Sequence, residues 1–304
     1  MSSPLSNRAS RRPLVTLLVL LLALSGPACA TVGPTQRESE GVAYDDRGSG
    51  FPIVLLSATG LDRRLWDEQV DRLARTHRVI RLDPRGFGGS QVPHSPFDAR
   101  ADIARVLDDL DLPEACIFGQ SGAAALALDF ALEAPDRVVA LALVAPGMSG
   151  YPFPVEELER FRRIERAAES EGHAAAVEFL MRDPYLAGVS RRPRLARRVR
   201  RILLESEEMW NPDLARFAQS VAEPAIERLS EVSVPTLVLV GDRDLEHIRD
   251  IANRLEEGID GARLVVVREA GHVLPLERPR QLSRLLAELA QRSCRPRGSG
   301  GSSP

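Results

Sequence analysis

The chain has 304 residues, a formal net charge of −3 and a pI near 6.0. That is long enough for one large domain carrying an insertion, and it lacks the basic excess that nucleic-acid binding asks for. All 40 basic residues are arginine, which removes a Schiff-base lysine, a P-loop lysine and a Ser-Lys dyad from the candidate chemistries. No His-Glu-x-x-His and no paired-cysteine spacing occurs, so no metal site is expected.

Residues 1–30 open with Arg8, Arg11 and Arg12. An apolar run from Leu14 to Leu24 follows, then Gly26-Pro27, which breaks a helix. The run is too short to span a bilayer, and the pattern is that of a secretory signal. Ala28-Cys29-Ala30 offers the small residues a signal peptidase reads, with Thr31 as the new N-terminus. Two variants stay open: Cys29 as the lipidated first residue of a lipoprotein, and a twin-arginine signal at Ser10-Arg11-Arg12. Each implies a periplasmic, secreted or membrane-anchored protein. Residues 31–40 read as a polar linker.

Strand-like runs follow at 42–45, 52–56 and 78–82, an amphipathic helix at 99–110, and a buried-type strand at 138–144. Short apolar runs alternating with helical segments predict an α/β fold, a mostly parallel sheet covered on both faces. Between Ala145 and Val234 the strand runs vanish, and the sequence reads as helices. We expect an inserted helical lid at 148–231, splitting a core at 41–147 and 232–292. Its Phe153, Tyr185, Trp210 and Phe217 are the candidate substrate contacts, with lid core the plainer reading for any single one. Seven arginines crowd residues 191–201. A solvated helix face is the plain expectation, and contact with an anionic membrane surface the sharper one. The tail at 293–304 is expected to be disordered. Three cysteines make no disulfide framework: Cys29 belongs to the signal, Cys116 reads as a small buried hydrophobe, and Cys294 is expected to be free.

The chemistry-bearing residues lie at the ends of the strand-like runs. Gly119-Gln120-Ser121-Gly122-Ala123 follows the apolar run from Ala115 and precedes a helical pattern. A serine on such a strand-to-helix turn has its hydroxyl pushed out of the sheet. Serine needs a base, itself oriented by a carboxylate. The run from Val234 to Val240 ends in Gly241-Asp242-Arg243-Asp244, and the run from Ala262 to Val267 ends in Glu269-Ala270-Gly271-His272. In open α/β sheets ligands bind past such strand ends. The order Ser121, acid, His272 is one that serine hydrolases use. Asp242 and Asp244 compete for the acid. His77, His94, His173 and His247 read as surface or packing histidines, and His247, close after Asp244, is the only rival to His272.

With Asp83-Pro84-Arg85-Gly86-Phe87-Gly88-Gly89-Ser90 and Glu277-Arg278-Pro279 added, residues 41–291 resemble the α/β-hydrolase fold superfamily, in its lid-bearing esterase, lactonase and C–C hydrolase branch. The resemblance implies Ser121 as nucleophile, His272 as base and Asp244 as orienting acid, with no cofactor. It implies Thr59 and Gly122 N–H groups as oxyanion hole, and a small or medium ester or lactone as substrate. C–C hydrolysis, thioester hydrolysis and cofactor-free haloperoxidation use the same triad, and a non-catalytic ligand-binding member is the rival from another class. Dehalogenases and epoxide hydrolases carry Asp where Ser121 stands. One departure matters. The family's oxyanion loop usually begins His-Gly, and here it reads Ser57-Ala58-Thr59-Gly60, so its geometry is open.

Overall fold

The computed structural model describes residues 35–294, and the expected signal at 1–30, with Cys29, and the last ten residues lie outside them. Eight strands form one sheet: β1 (Thr35–Ser39), β2 (Val42–Gly48), β3 (Pro52–Leu56), β4 (Arg78–Leu82), β5 (Ala115–Gln120), β6 (Val138–Val144), β7 (Thr236–Gly241) and β8 (Arg263–Val267). Their order is β1-β2-β4-β3-β5-β6-β7-β8. β1 and β2 are antiparallel additions, and every pairing from β4 onward is parallel. β3, β5, β6 and β7 are buried along their whole length, as a parallel sheet covered on both faces requires. The cover comes from α1 (Asp67–Leu73), α2 (Ala99–Asp109), α3 (Gly122–Glu133) and later helices.

Two terminal expectations are corrected. The supposed linker contains β1, joined to β2 by Glu40-Gly41, both at positive φ (41° and 87°), the conformation a tight hairpin needs. Gln36, Arg37 and Glu38 give β1 no apolar alternation, so this polar edge strand left no sequence signal. The supposed disordered tail begins inside the fold. Ser293 ends the last helix, and Cys294 forms a disulfide with Cys116. The Cα atoms are 5.8 Å apart, and the bond closes 178 residues of sequence. Cys294 is therefore neither free nor in a solvated tail (5% exposed), and Cys116 is buried as a bridge and not as a lone hydrophobe. Spacing says nothing about which thiols meet in space, which is why the pair was missed.

Between β6 and β7 the chain forms α4 (Val155–Glu171), α5 (His173–Arg182), α6 (Ala187–Ser190), α7 (Pro193–Leu204) and α8 (Pro212–Phe217), with short 3-10 turns and no strand among them. After β7 come α9 (Glu246–Gly258), then β8, α10 (Leu274–Glu277) and α11 (Pro279–Ser293). Arg198 of α7 and Arg192, the residue before that helix, tie this insertion to the core. Arg198 donates to the Arg64 carbonyl and to Asp67, and Arg192 donates to the Glu277 carbonyl. Arg200 pairs with Glu178 of α5. Arg191, Arg194, Arg197 and Arg201 remain exposed.

Candidate active site

Ser121 sits between β5 and α3 with φ 58° and ψ −125°, a backbone strain that persists only when its surroundings hold it. They do so here. Ser121 N–H donates to the Val144 carbonyl (2.9 Å), and Gly147 N–H donates to the Ser121 carbonyl (2.9 Å). Gly119 lets α3 close onto β5, since a Cβ there would stand 2.2 Å from the Ala123 carbonyl oxygen.

Three strand ends bring three side chains together. Ser121 Oγ lies 2.9 Å from His272 Nε2, and His272 Nδ1 lies 3.1 Å from each carboxyl oxygen of Asp244. With Nδ1–H donated to Asp244, Nε2 is left to accept the serine proton. Asp244 and His272 are buried and Ser121 half-buried. Asp242 stands apart from this chain. It accepts from the Ala270 amide (3.2 Å), and the amides of Glu269 and Ala270 hold its carboxyl below the usual range.

The histidine loop is braced by groups the sequence reading did not single out. Gln120, fully buried beside the serine, donates to the His272 carbonyl (3.0 Å), and Gln69 donates to that of Pro275 (3.1 Å). The buried Glu277 accepts from the amides on both sides of His272: Gly271 N–H (2.8 Å) and Val273 N–H (3.0 Å). Glu277→Ala leaves the buried Val273 N–H and the half-buried Gly271 N–H unpaired, and an unpaired buried donor costs about 1–3 kcal/mol. We expect urea denaturation to show a loss of about 2–4 kcal/mol, with a smaller loss in Glu277→Gln, which keeps one acceptor oxygen. Unchanged stability in the alanine variant contradicts this role.

The loop after β3 carries Thr59. Ala58 is not at positive φ, so its Cβ meets no backbone strain there. Gly60 takes the positive φ (83°) in a turn closed by Leu61 N–H to the Ala58 carbonyl (3.0 Å). Other groups brace the loop in place of the missing histidine. Asp83 accepts from Arg63 N–H (2.7 Å) and pairs with the Arg63 guanidinium, Asp62 accepts from Arg64 N–H (2.9 Å), and the Trp66 indole donates to the Leu56 carbonyl (3.2 Å). Thr59 reaches Gly122: a Cβ on that glycine would lie 2.9 Å from Thr59 Oγ1. Both residues are exposed, and among the described residues neither amide has a protein acceptor. The Ser57 hydroxyl is buried without a partner.

Of the four candidate substrate contacts, only Tyr185 meets the serine–histidine–aspartate chain. Its ring centroid is 4.5 Å from that of His272. Phe153 is one layer back, against His247 (5.7 Å). The Trp210 indole donates to His173 Nδ1 (2.7 Å), and the backbone carbonyl of Phe217 accepts from Phe97 N–H (2.9 Å). Met209 and Leu203 approach the oxyanion loop instead, at Gly60. His247 is a packing histidine and does not stand in for His272. It is buried, 2.8 Å from the Tyr185 hydroxyl, and burial lowers its pKa below the ordinary value.

A serine on a strained strand-to-helix turn, served by a histidine and an aspartate from two further strand ends, defines a class of hydrolytic enzyme. The chain belongs to the alpha/beta hydrolase family, whose model matches residues 53–285. It is similar to the 2-hydroxy-6-oxononadienedioate/2-hydroxy-6-oxononatrienedioate hydrolase of Burkholderia vietnamiensis, at 28% identity over 83% of this chain and 91% of that one. Among solved structures it is similar to a thermophilic esterase from Thermogutta terrifontis (TM-score 0.72, 26% identity, 86% of this chain and 98% of that one). An N-acyl homoserine lactone degrading enzyme, Est816, gives TM-score 0.69 and 28% identity over 84% of this chain and 99% of that one. This protein is an enzyme of that hydrolase family.

Proposed function

We propose that this protein is an exported serine hydrolase that cleaves a small or medium carboxylic ester or lactone through an acyl-enzyme. The observation that carries the reading is the continuous hydrogen-bonded chain from Ser121 Oγ through His272 to Asp244. His272 takes the serine proton as Oγ attacks the carbonyl carbon. Asp244 holds the tautomer and stabilises the imidazolium. The amides of Thr59 and Gly122 receive the oxyanion. His272 then gives its proton to the leaving alkoxide, and a water, deprotonated by the same imidazole, releases the acid. The ester and lactone preference draws on the esterase and the lactone-degrading enzyme named above.

Export is supported by the Cys116–Cys294 bridge, since disulfides persist in oxidising compartments, and by the signal-like residues 1–30. Lipidation at Cys29 and the exposed arginines of residues 191–201 are two routes to a membrane surface. The reading is tested with a fluorophosphonate probe on the protein from Thr31 onward, followed by intact mass. One adduct, absent in Ser121→Ala, is the expected result. No adduct on folded wild-type protein overturns it and favours a ligand-binding role.

A further inference from the structure

A second polar chain touches the first. The Tyr185 hydroxyl lies 2.8 Å from His247 Nε2, and His247 Nδ1 lies 3.5 Å from Glu157 Oε1. The three residues come from separate places: Tyr185 from the 3-10 turn Pro184–Leu186 of the insertion, Glu157 from α4, and His247 from α9, three residues after Asp244. Glu157 and His247 are each 6% exposed. Arg160 pairs with Glu157 and with Asp183 (2.8 Å), and its guanidinium lies 5.4 Å from the Tyr185 ring centroid. Asp183 accepts the Tyr185 amide (3.0 Å), and Phe161 stacks on the outer side of the ring (5.7 Å). Both ends of this tyrosine are therefore fixed, backbone and hydroxyl.

Burying a histidine and a carboxylate costs free energy unless each is paired. Here they are paired so as to hold one phenol. Desolvation lowers the His247 pKa and raises that of Tyr185. Near neutral pH the phenol thus keeps its proton and donates to a neutral imidazole, whose other nitrogen faces Glu157. What this arrangement presents to the site is the ring. It meets the His272 imidazole at 76° with 4.5 Å between centroids. The terminal torsion of a histidine is intrinsically broad, so the imidazole that stands 3.1 Å from both oxygens of Asp244 gains from a ring packed against it.

We propose that Tyr185 is a positioning residue: anchored through its hydroxyl by His247 and Glu157, its ring holds the His272 imidazole in the orientation that reaches Ser121 and Asp244 together. The proposal deepens the serine-hydrolase reading and rests on it for its kinetic consequence only. The insertion then does more than cover the site, because it supplies one wall of the base's own socket.

The test uses the full chain from Thr31, with Tyr185→Phe, Tyr185→Ala, His247→Ala and His247→Gln. The first readout is the His272 Nδ1 proton in low-field NMR, assigned by its loss in His272→Ala. It should persist in the wild type and broaden into exchange with water in Tyr185→Ala. The second is the fluorophosphonate labelling rate. Misplacing a catalytic group by about 1 Å can cost about 10²-fold, the fall expected for Tyr185→Ala. Losing the tether alone in Tyr185→Phe should cost about tenfold, one hydrogen bond's worth. His247→Gln, whose amide oxygen can accept from the phenol, should label faster than His247→Ala. With an ester, kcat should fall and KM should hold. An unchanged His272 signal in folded Tyr185→Ala overturns the proposal, and so does a loss confined to KM, which marks a substrate wall. A wild type that shows the signal but takes no probe refutes the hydrolase reading while the NMR comparison still decides the role of Tyr185.

Discussion

Ser121→Ala should lower kcat on a p-nitrophenyl ester by about 10⁴-fold or more, equivalent to about 5.5 kcal/mol of transition-state stabilisation. KM should change little. The reason is geometric. The serine oxygen is the atom His272 Nε2 addresses at 2.9 Å, and alanine leaves base, acid and oxyanion amides in place with nothing to activate. Since the three residues act as a unit, adding His272→Ala to Ser121→Ala should cost little more. Steady-state kinetics on the single and double variants check both statements. Turnover within tenfold of wild type in Ser121→Ala removes this serine from the chemistry.

Breaking the Cys116–Cys294 bridge should give the largest loss of stability. In the chain-entropy model a loop of 178 residues is worth about 5 kcal/mol, and measured values more often fall near 2–4 kcal/mol. For a chain of this size that corresponds to a fall of about 5–15 °C in Tm. The Cys116→Ala, Cys294→Ala variant should show it in thermal unfolding followed by circular dichroism. Reduced wild-type protein, which keeps both sulfur atoms, separates the loss of the bond from the cavity that alanine leaves. Both sulfurs are nearly inaccessible (0% and 5% exposed), so reduction should need partial unfolding. Equal Tm in oxidised and reduced protein contradicts the expectation.

The parallel sheet and the insertion were legible because their signals are local. β3, β4 and β6 were read at their observed bounds, since buried strands are continuous apolar runs flanked by turn residues. Ser121, Asp244 and His272 could be picked out because each follows such a run. What failed was whatever depends on encounter in space. Cys294 lies 178 residues from its partner. His247 looked like an ordinary helical histidine until Tyr185 and Glu157 closed around it. Gln120 was quoted inside the serine motif, yet nothing in that motif says its amide reaches the carbonyl of residue 272.

Ser121 follows β5, Asp244 follows β7, and His272 follows β8, the last strand of the sheet. The serine and its base are 151 residues apart. Such contacts are slow to form, since parallel pairing must close long stretches of chain before it is rewarded. A chain emerging from synthesis therefore carries Ser121 long before His272 arrives. It remains inert until the far edge of the sheet is laid down. Recovery of probe labelling during refolding would thus time the final strand, and a chain ended before residue 263 would have a serine and no means of using it.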